Sequence, residues 1–239
     1  MTTSHAHHDA AAPRYDIYAF IHKALRLLMT DTLTGIGRTD PSSDVEVQAT
    51  LERVGRLLDL CETHLNSENG FVHPAMERVA PGSCARVAEE HREHEEQLAD
   101  LRDLADLVRD RDGAARASAL ARLYHAVALM VAHNLEHMHF EETEHNRVLQ
   151  THYSDAEIHA IEQSIVGHLT PERKALAMHW FIPALNARER VTLLSGMRQA
   201  MPAPAFDGIL EIARSVLAPA DHARLLRSLG IEQPELVAA

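Results

Sequence analysis

Apolar residues recur three and four positions apart along four long stretches of this chain, the spacing that lines one face of an α-helix. In the first, from about Arg14 to Ile36, the residues Tyr18, Ile21, Leu25, Leu28, Met29 and Leu33 share a stripe. Gly35, Gly37 and the run Asp40-Pro41-Ser42-Ser43 close it. Asp44 is placed to cap a second helix, whose face carries Val47, Leu51, Val54, Leu57, Leu58, Cys61 and Leu65 and which ends at Pro74 or shortly beyond. A third stretch runs from about Cys84 to Arg109, with Val87, Leu98, Leu101, Leu104 and Val108 inward. Asp112-Gly113 breaks the chain, and a fourth spans roughly Ala114 to Leu149 with Leu120, Leu123, Val127, Met130, Val131, Met138 and Val148. Four such helices on short connections predict an all-α, up-down-up-down four-helix bundle over residues 14–150.

Residues 1–13 read as a flexible tail ending at Pro13, and residues 154–239 as a C-terminal extension of shorter helices. In that extension Ser154 with Glu157 and Asn186 with Glu189 have the spacing of capping boxes, and Thr170-Pro171 reads as an N-cap followed by a first-turn proline. Aromatic residues make up only 4% of the chain while Ala, Leu, Arg and Glu dominate, which supports helices over sheets. The net charge of -12 argues against nonspecific nucleic-acid binding. No apolar run approaches the roughly 20 residues that span a bilayer. The start of the chain, with His5, His7 and His8, has no apolar signal core, and the expected compartment is the cytoplasm. Cys61 and Cys84 form neither a metal-binding pair nor a disulfide framework.

Histidine is the outlier, with 18 in all and six between His125 and His152. Position decides which of them matter. His64 and Glu68 form a His-x-x-x-Glu pair, and a shift of 73 residues superposes them on His137 and Glu141. The same shift matches Val47 with Leu120, Val54 with Val127 and Leu65 with Met138, so both pairs hold one angular position relative to their apolar stripes. Residues four apart share a helix face, and each pair can present an imidazole and a carboxylate to one site. On the first helix His22 lies about 50° from the centre of the stripe, at about 100° per residue. His91 lies at a similar angle on the third, and His94 nearer the centre. Helical phase leaves both inward, and the match with His22 favours His91.

Taken singly, each of these residues has an ordinary reading. His64 with Glu68 is a common surface pair, and only its repetition on another helix makes a site. His145 reads as an outer partner of that site, His73 as a packing residue, and His133 and His139 as solvated. Tyr124 and Trp180 read as packing, and Cys61 as a buried thiol. Glu136-x-x-His139 and Glu142-x-x-His145 have the spacing of a ferritin-like site, but both fall on one helix and cannot supply two walls. Imidazole and carboxylate donors without thiolate suit iron, manganese or zinc, and six donors exceed what one zinc ion takes.

Over roughly residues 14–150 the chain resembles the hemerythrin-like (HHE cation-binding) family, through His22 in Ile-His-Lys-Ala-Leu-Arg, His64 with Glu68, His73-Pro74-Ala75, Glu90-His91, and His137 with Glu141-Glu142. The resemblance implies two irons bridged by Glu68, Glu141 and an oxo or hydroxo oxygen, with His22, His64, His91 and His137 as terminal ligands and His94 as a further candidate. Oxygen carriers of the family place two histidines four apart on the third helix. Here Glu95 holds that position and the second histidine is His94. This departure points away from reversible oxygen carriage and towards the family's intracellular branches, among them di-iron repair proteins linked to nitric oxide and iron–sulfur damage. The expected ligand is therefore a diatomic gas or peroxide. Alternatives are iron storage, or a regulatory metal sensor acting through the C-terminal helices. There Trp180-Phe181-Ile182-Pro183-Ala184-Leu185-Asn186 offers a docking surface for a second copy or a protein partner, although burial against the bundle explains it more simply.

Overall fold

The computed structural model describes residues 14–231, and every regular element among them is helical. The expected tail over residues 1–13 lies outside the described residues, as does the end of the chain from residue 232. Helix α1 (Ala19–Arg38) is followed by α2 (Asp44–Ser67), which continues through a π-helical turn (Glu68–Val72) into α3 (His73–Val79). Then come α4 (Ala85–Asp110) and α5 (Gly113–Phe140), the latter continuing through a second π turn (Glu141–His145) into α6 (Asn146–His152). Five shorter helices complete the described chain: α7 (Asp155–His168), α8 (Pro171–Ala184), α9 (Ala187–Ala200), α10 (Ala203–Val216) and α11 (Pro219–Ser228). None of the described helices is long and apolar enough to cross a membrane.

Local chemistry sets these boundaries. Helix α1 starts later than the periodicity suggests because the Asp16 carboxylate accepts the backbone N–H groups of Tyr18 and Ala19, at 2.9 and 3.1 Å. The cap of α2 is Ser43 rather than Asp44; its side chain accepts from the Glu46 N–H. Both anticipated capping boxes form, at Ser154/Glu157 and Asn186/Glu189, and Thr170 caps α8 ahead of Pro171.

Helix α1 packs against α2 and α5, and α4 packs against the same two. Their apolar stripes meet in a main core that includes Leu28, Met29, Val54, Leu57, Leu101, Leu123 and Val127, all closed to solvent. A second apolar cluster, Ile17, Tyr18, Val72, Met76, Cys84, Leu149 and Ile158, lies beyond the π turns. Here the structure corrects the periodicity: Leu149 is buried and Val148 only partly so. A π turn holds one residue more than an α turn, and everything after it is rotated accordingly. A third cluster joins α8 to α11 through Ile182, Leu194, Phe206, Ala213 and Leu225. Helix α8 itself lies on α1 and α2, with Ala177 in the main core and Trp180 and Phe181 packed against it. Within the Trp180–Asn186 segment Ile182 and Leu185 are buried, the residues between and before them are partly so, and Asn186 is exposed.

Candidate metal centre

The segments from His64 to His73 and from His137 to His145 run between the main core and the second cluster. Each contains a π turn that begins at its glutamate. The wider turn lets two consecutive positions face inward: Val72 and His73 after Glu68, and His145 and Asn146 after Glu141, are all buried. Single π turns inside α-helices recur at functional sites, where they aim side chains a regular helix would turn away.

The structure brings six of the seven residues singled out from the sequence into two overlapping groups. His22, His64, Glu68 and Glu141 form one, and Glu68, His91, His137 and Glu141 the other, with the donor atoms of each group within 4.8 Å of one another. The carboxylates divide their oxygens between the groups. Glu68 turns Oε1 to His64 Nε2 at 3.4 Å and Oε2 to His91 Nε2 at 3.4 Å. Glu141 turns Oε2 to His22 Nε2 at 3.3 Å and Oε1 to His137 Nε2 at 3.4 Å. Each half therefore offers two imidazole nitrogens and one oxygen from each glutamate.

Behind the imidazoles stands a layer that the sequence reading did not identify. His22 Nδ1 donates to Glu142 Oε1 at 3.0 Å, and Arg26 holds that carboxylate with contacts of 2.5 and 3.0 Å. His137 Nδ1 donates to Glu90 Oε2 at 2.7 Å, and Arg86 binds the other Glu90 oxygen at 2.7 Å. His91 Nδ1 donates to Asn69 Oδ1 at 2.8 Å. An oxygen partner on Nδ1 fixes the tautomer, leaving the Nε2 lone pair pointing inward as a metal requires. The sequence carried a faint signal for this layer, since Glu90 and Glu142 each adjoin an inward residue.

Electrostatics separates the two glutamates. Burial, then the neighbouring Glu141 charge, pushes the Glu68 carboxyl well above its ordinary range. Burial would raise Glu141 too, but the His137 and His22 imidazoles, 3.4 and 3.3 Å from its oxygens, hold it well below that range. Burial, with His22 next to it, drives His64 well below the usual imidazole value, and burial brings His91 down to about 3. For Glu142, burial opposes ionisation, but His22 and Arg26 overcome it and bring the carboxyl to about 2.

The donor set fits metal ions. The Nε2 atoms of His22 and His64 and all four carboxylate oxygens of Glu68 and Glu141 are buried without a hydrogen-bond partner among the described residues. Each such atom costs about 1–3 kcal/mol unless something else satisfies it. Two cations would satisfy all of them together and offset the charge of two buried carboxylates.

His94 joins neither group among the described residues. Its ring meets that of His137 edge-on at 4.7 Å, and it lines a narrow recess beside the donor groups. Leu25, Cys61, Leu65, Leu98 and Met130 form the apolar walls, Gln97 and Asn134 add polar groups, and His64, Glu68, His91 and His137 lie at the inner end. Burial brings the His94 imidazole down to about 4, so it faces the recess uncharged. Glu136, His133 and His139 are exposed, as expected for residues outside the site.

A family model described as hemerythrin HHE cation binding domain matches residues 14–149. No curated protein and no solved structure matches the chain.

Proposed function

The chain belongs to the hemerythrin HHE cation-binding family, and from that premise we propose that it is a non-haem di-iron protein that binds or reacts with dioxygen, nitric oxide or peroxide. In this reading residues 14–150 form the up-down-up-down bundle and residues 154–239 a helical extension. The observation that carries it is the division of both glutamates between two histidine pairs. Two carboxylates shared in this way favour two ions over one. His22 and His64 would hold one iron and His91 and His137 the other, with Glu68 and Glu141 common to both. Iron bound there supplies redox electrons and a coordination position for a small ligand.

The remaining chemistry belongs to the protein. Glu90, Glu142 and Asn69 keep the imidazoles in the metal-binding tautomer. The apolar walls of the recess would limit entry to small molecules, and His94, Gln97 and Asn134 add polar groups to its lining. Elemental analysis of protein purified without a histidine tag should give at least two irons per chain. The reduced protein mixed with dioxygen or nitric oxide should change its optical spectrum within a stopped-flow experiment. One zinc per chain, or iron inert to both gases, would overturn the proposal.

One observation favours a regulatory reading beside this one. Lys23, adjacent to His22, pairs with Glu189 at 2.5 Å, tying the start of α9 to a helix that carries a donor. Lys23→Ala should then leave iron content unchanged. If the C-terminal helices report on the site, their proteolytic sensitivity will differ between oxidised and reduced protein, and the difference will shrink in this variant.

A further inference from the structure

Two buried histidines belong to neither half of the proposed pair of ions. His73 and His145 end the two π turns' inward-facing positions, and both are closed to solvent. Their Nε2 atoms have no hydrogen-bond partner among the described residues. With a carboxylate oxygen of Glu141, one ring nitrogen from each forms a third group, all within 4.8 Å of one another. We infer that His73, His145 and Glu141 hold a third divalent transition-metal ion beside the pair. The inference rests on the reading above in sharing Glu141.

His145 is presented as the other inward histidines are. Its Nδ1 lies against an oxygen, the Tyr18 hydroxyl, at 3.3 Å, and its Nε2 is buried with no partner among the described residues. That matches His22 on Glu142, His91 on Asn69 and His137 on Glu90. His73 is held by stacking on His91, with ring centroids 5.0 Å apart and planes 15° from parallel. Stacking accounts for the His73 ring but leaves its inward nitrogen unsatisfied.

A packing role does not explain the choice of side chain. An apolar residue at either position would avoid burying an unpartnered nitrogen. Neither Nε2 reaches Glu141 as a hydrogen-bond donor, so the two rings do not serve to steady that carboxylate. Two imidazoles and one carboxylate with positions left open are the donor set of many mononuclear Fe(II) sites. A carboxylate oxygen has two lone pairs, which lets Glu141 serve a third ion while shared by the pair. Asp16 and Glu77 add negative charge around Tyr18 and His73.

The test is an anaerobic titration of metal-free, full-length protein with Co²⁺, read by visible absorption and by cobalt content after desalting. Wild type should take three equivalents, and His73→Ala/His145→Ala two, with its helical circular dichroism retained. His145→Gln, which nearly preserves side-chain volume, should lose the same equivalent and covers the case in which the double variant fails to fold. Tyr18→Phe should weaken the third equivalent about tenfold and leave the first two unchanged. His5, His7 and His8 are common to all these proteins, so all are made with these three changed to alanine, and the counts exclude any cobalt they would collect. Two equivalents in wild type overturn the third ion and leave the dinuclear reading intact. Fewer than two overturn both. Three equivalents retained in both histidine variants place the extra ion elsewhere and overturn the inference.

Discussion

Glu90 and Glu142 touch no candidate metal position, yet each decides which nitrogen of a histidine faces inward. Replacing either with alanine should loosen iron about 10–100-fold, as measured by chelator competition, while leaving helix content unchanged. Replacing Glu144, half-exposed and paired among the described residues only with Arg147, should do neither. At this scale much of the site could be read from the chain. His22, His64, Glu68, His91, His137 and Glu141 all lie where helical phase turns them inward, and the structure collects them. The outer partners escaped because a glutamate next to an inward residue looks like any solvated helix charge. His91 and His94 are close in phase, and what separates them is that His91 Nε2 lies 3.4 Å from Glu68 and joins a donor group while His94 joins none among the described residues.

Helical period located the elements and most of the core, but it assumes that every turn is alike. The two π turns break that assumption where the chemistry is densest. Their clearest trace is the exchange of Val148 for Leu149 in the second cluster. Leu149→Ala should cost about 2–5 kcal/mol in urea unfolding, and Val148→Ala about 1 kcal/mol or less. The first turn also explains why His73 reads as a packing residue, since a regular helix rotates the five residues from Glu68 through about 140° beyond a full turn, whereas His145, four residues after Glu141, stays near its face in either geometry. Caps were easier to read because they depend on side chains at fixed short spacing. Ser43→Ala should cost about 1 kcal/mol, with the loss confined to stability.

For the whole molecule, the metal-free chain carries a burden of neutral imidazoles. Burial holds His64 and His73 below the ordinary value, His91 at about 3, and His94 and His145 at about 4. Unfolded, all five take up protons near pH 6.5. The unfolded state then binds more protons than the folded one, and stability falls as the pH drops from about 6.5. His22, His137 and Glu68 are raised and act in the opposite sense, but they are fewer. The metal-free protein should therefore melt at a lower temperature at pH 5 than at pH 7.5. Metal binding adds stability on top, and Ile182→Ala, deep in the third cluster, should weaken α8 to α11 without reducing iron content. The position of the donor groups between two apolar clusters has a mechanical consequence. Without cations the junction holds unpartnered polar atoms where its neighbours hold hydrocarbon, so it becomes the seam along which the molecule opens first. Amide hydrogen exchange should show this directly, with residues 68–72 and 141–145 losing protection on metal removal well before Leu57 or Leu123. On the proposed reading, bound ions would act as a clasp between two separately packed ends, and their removal would be read in how readily the molecule comes apart in the middle.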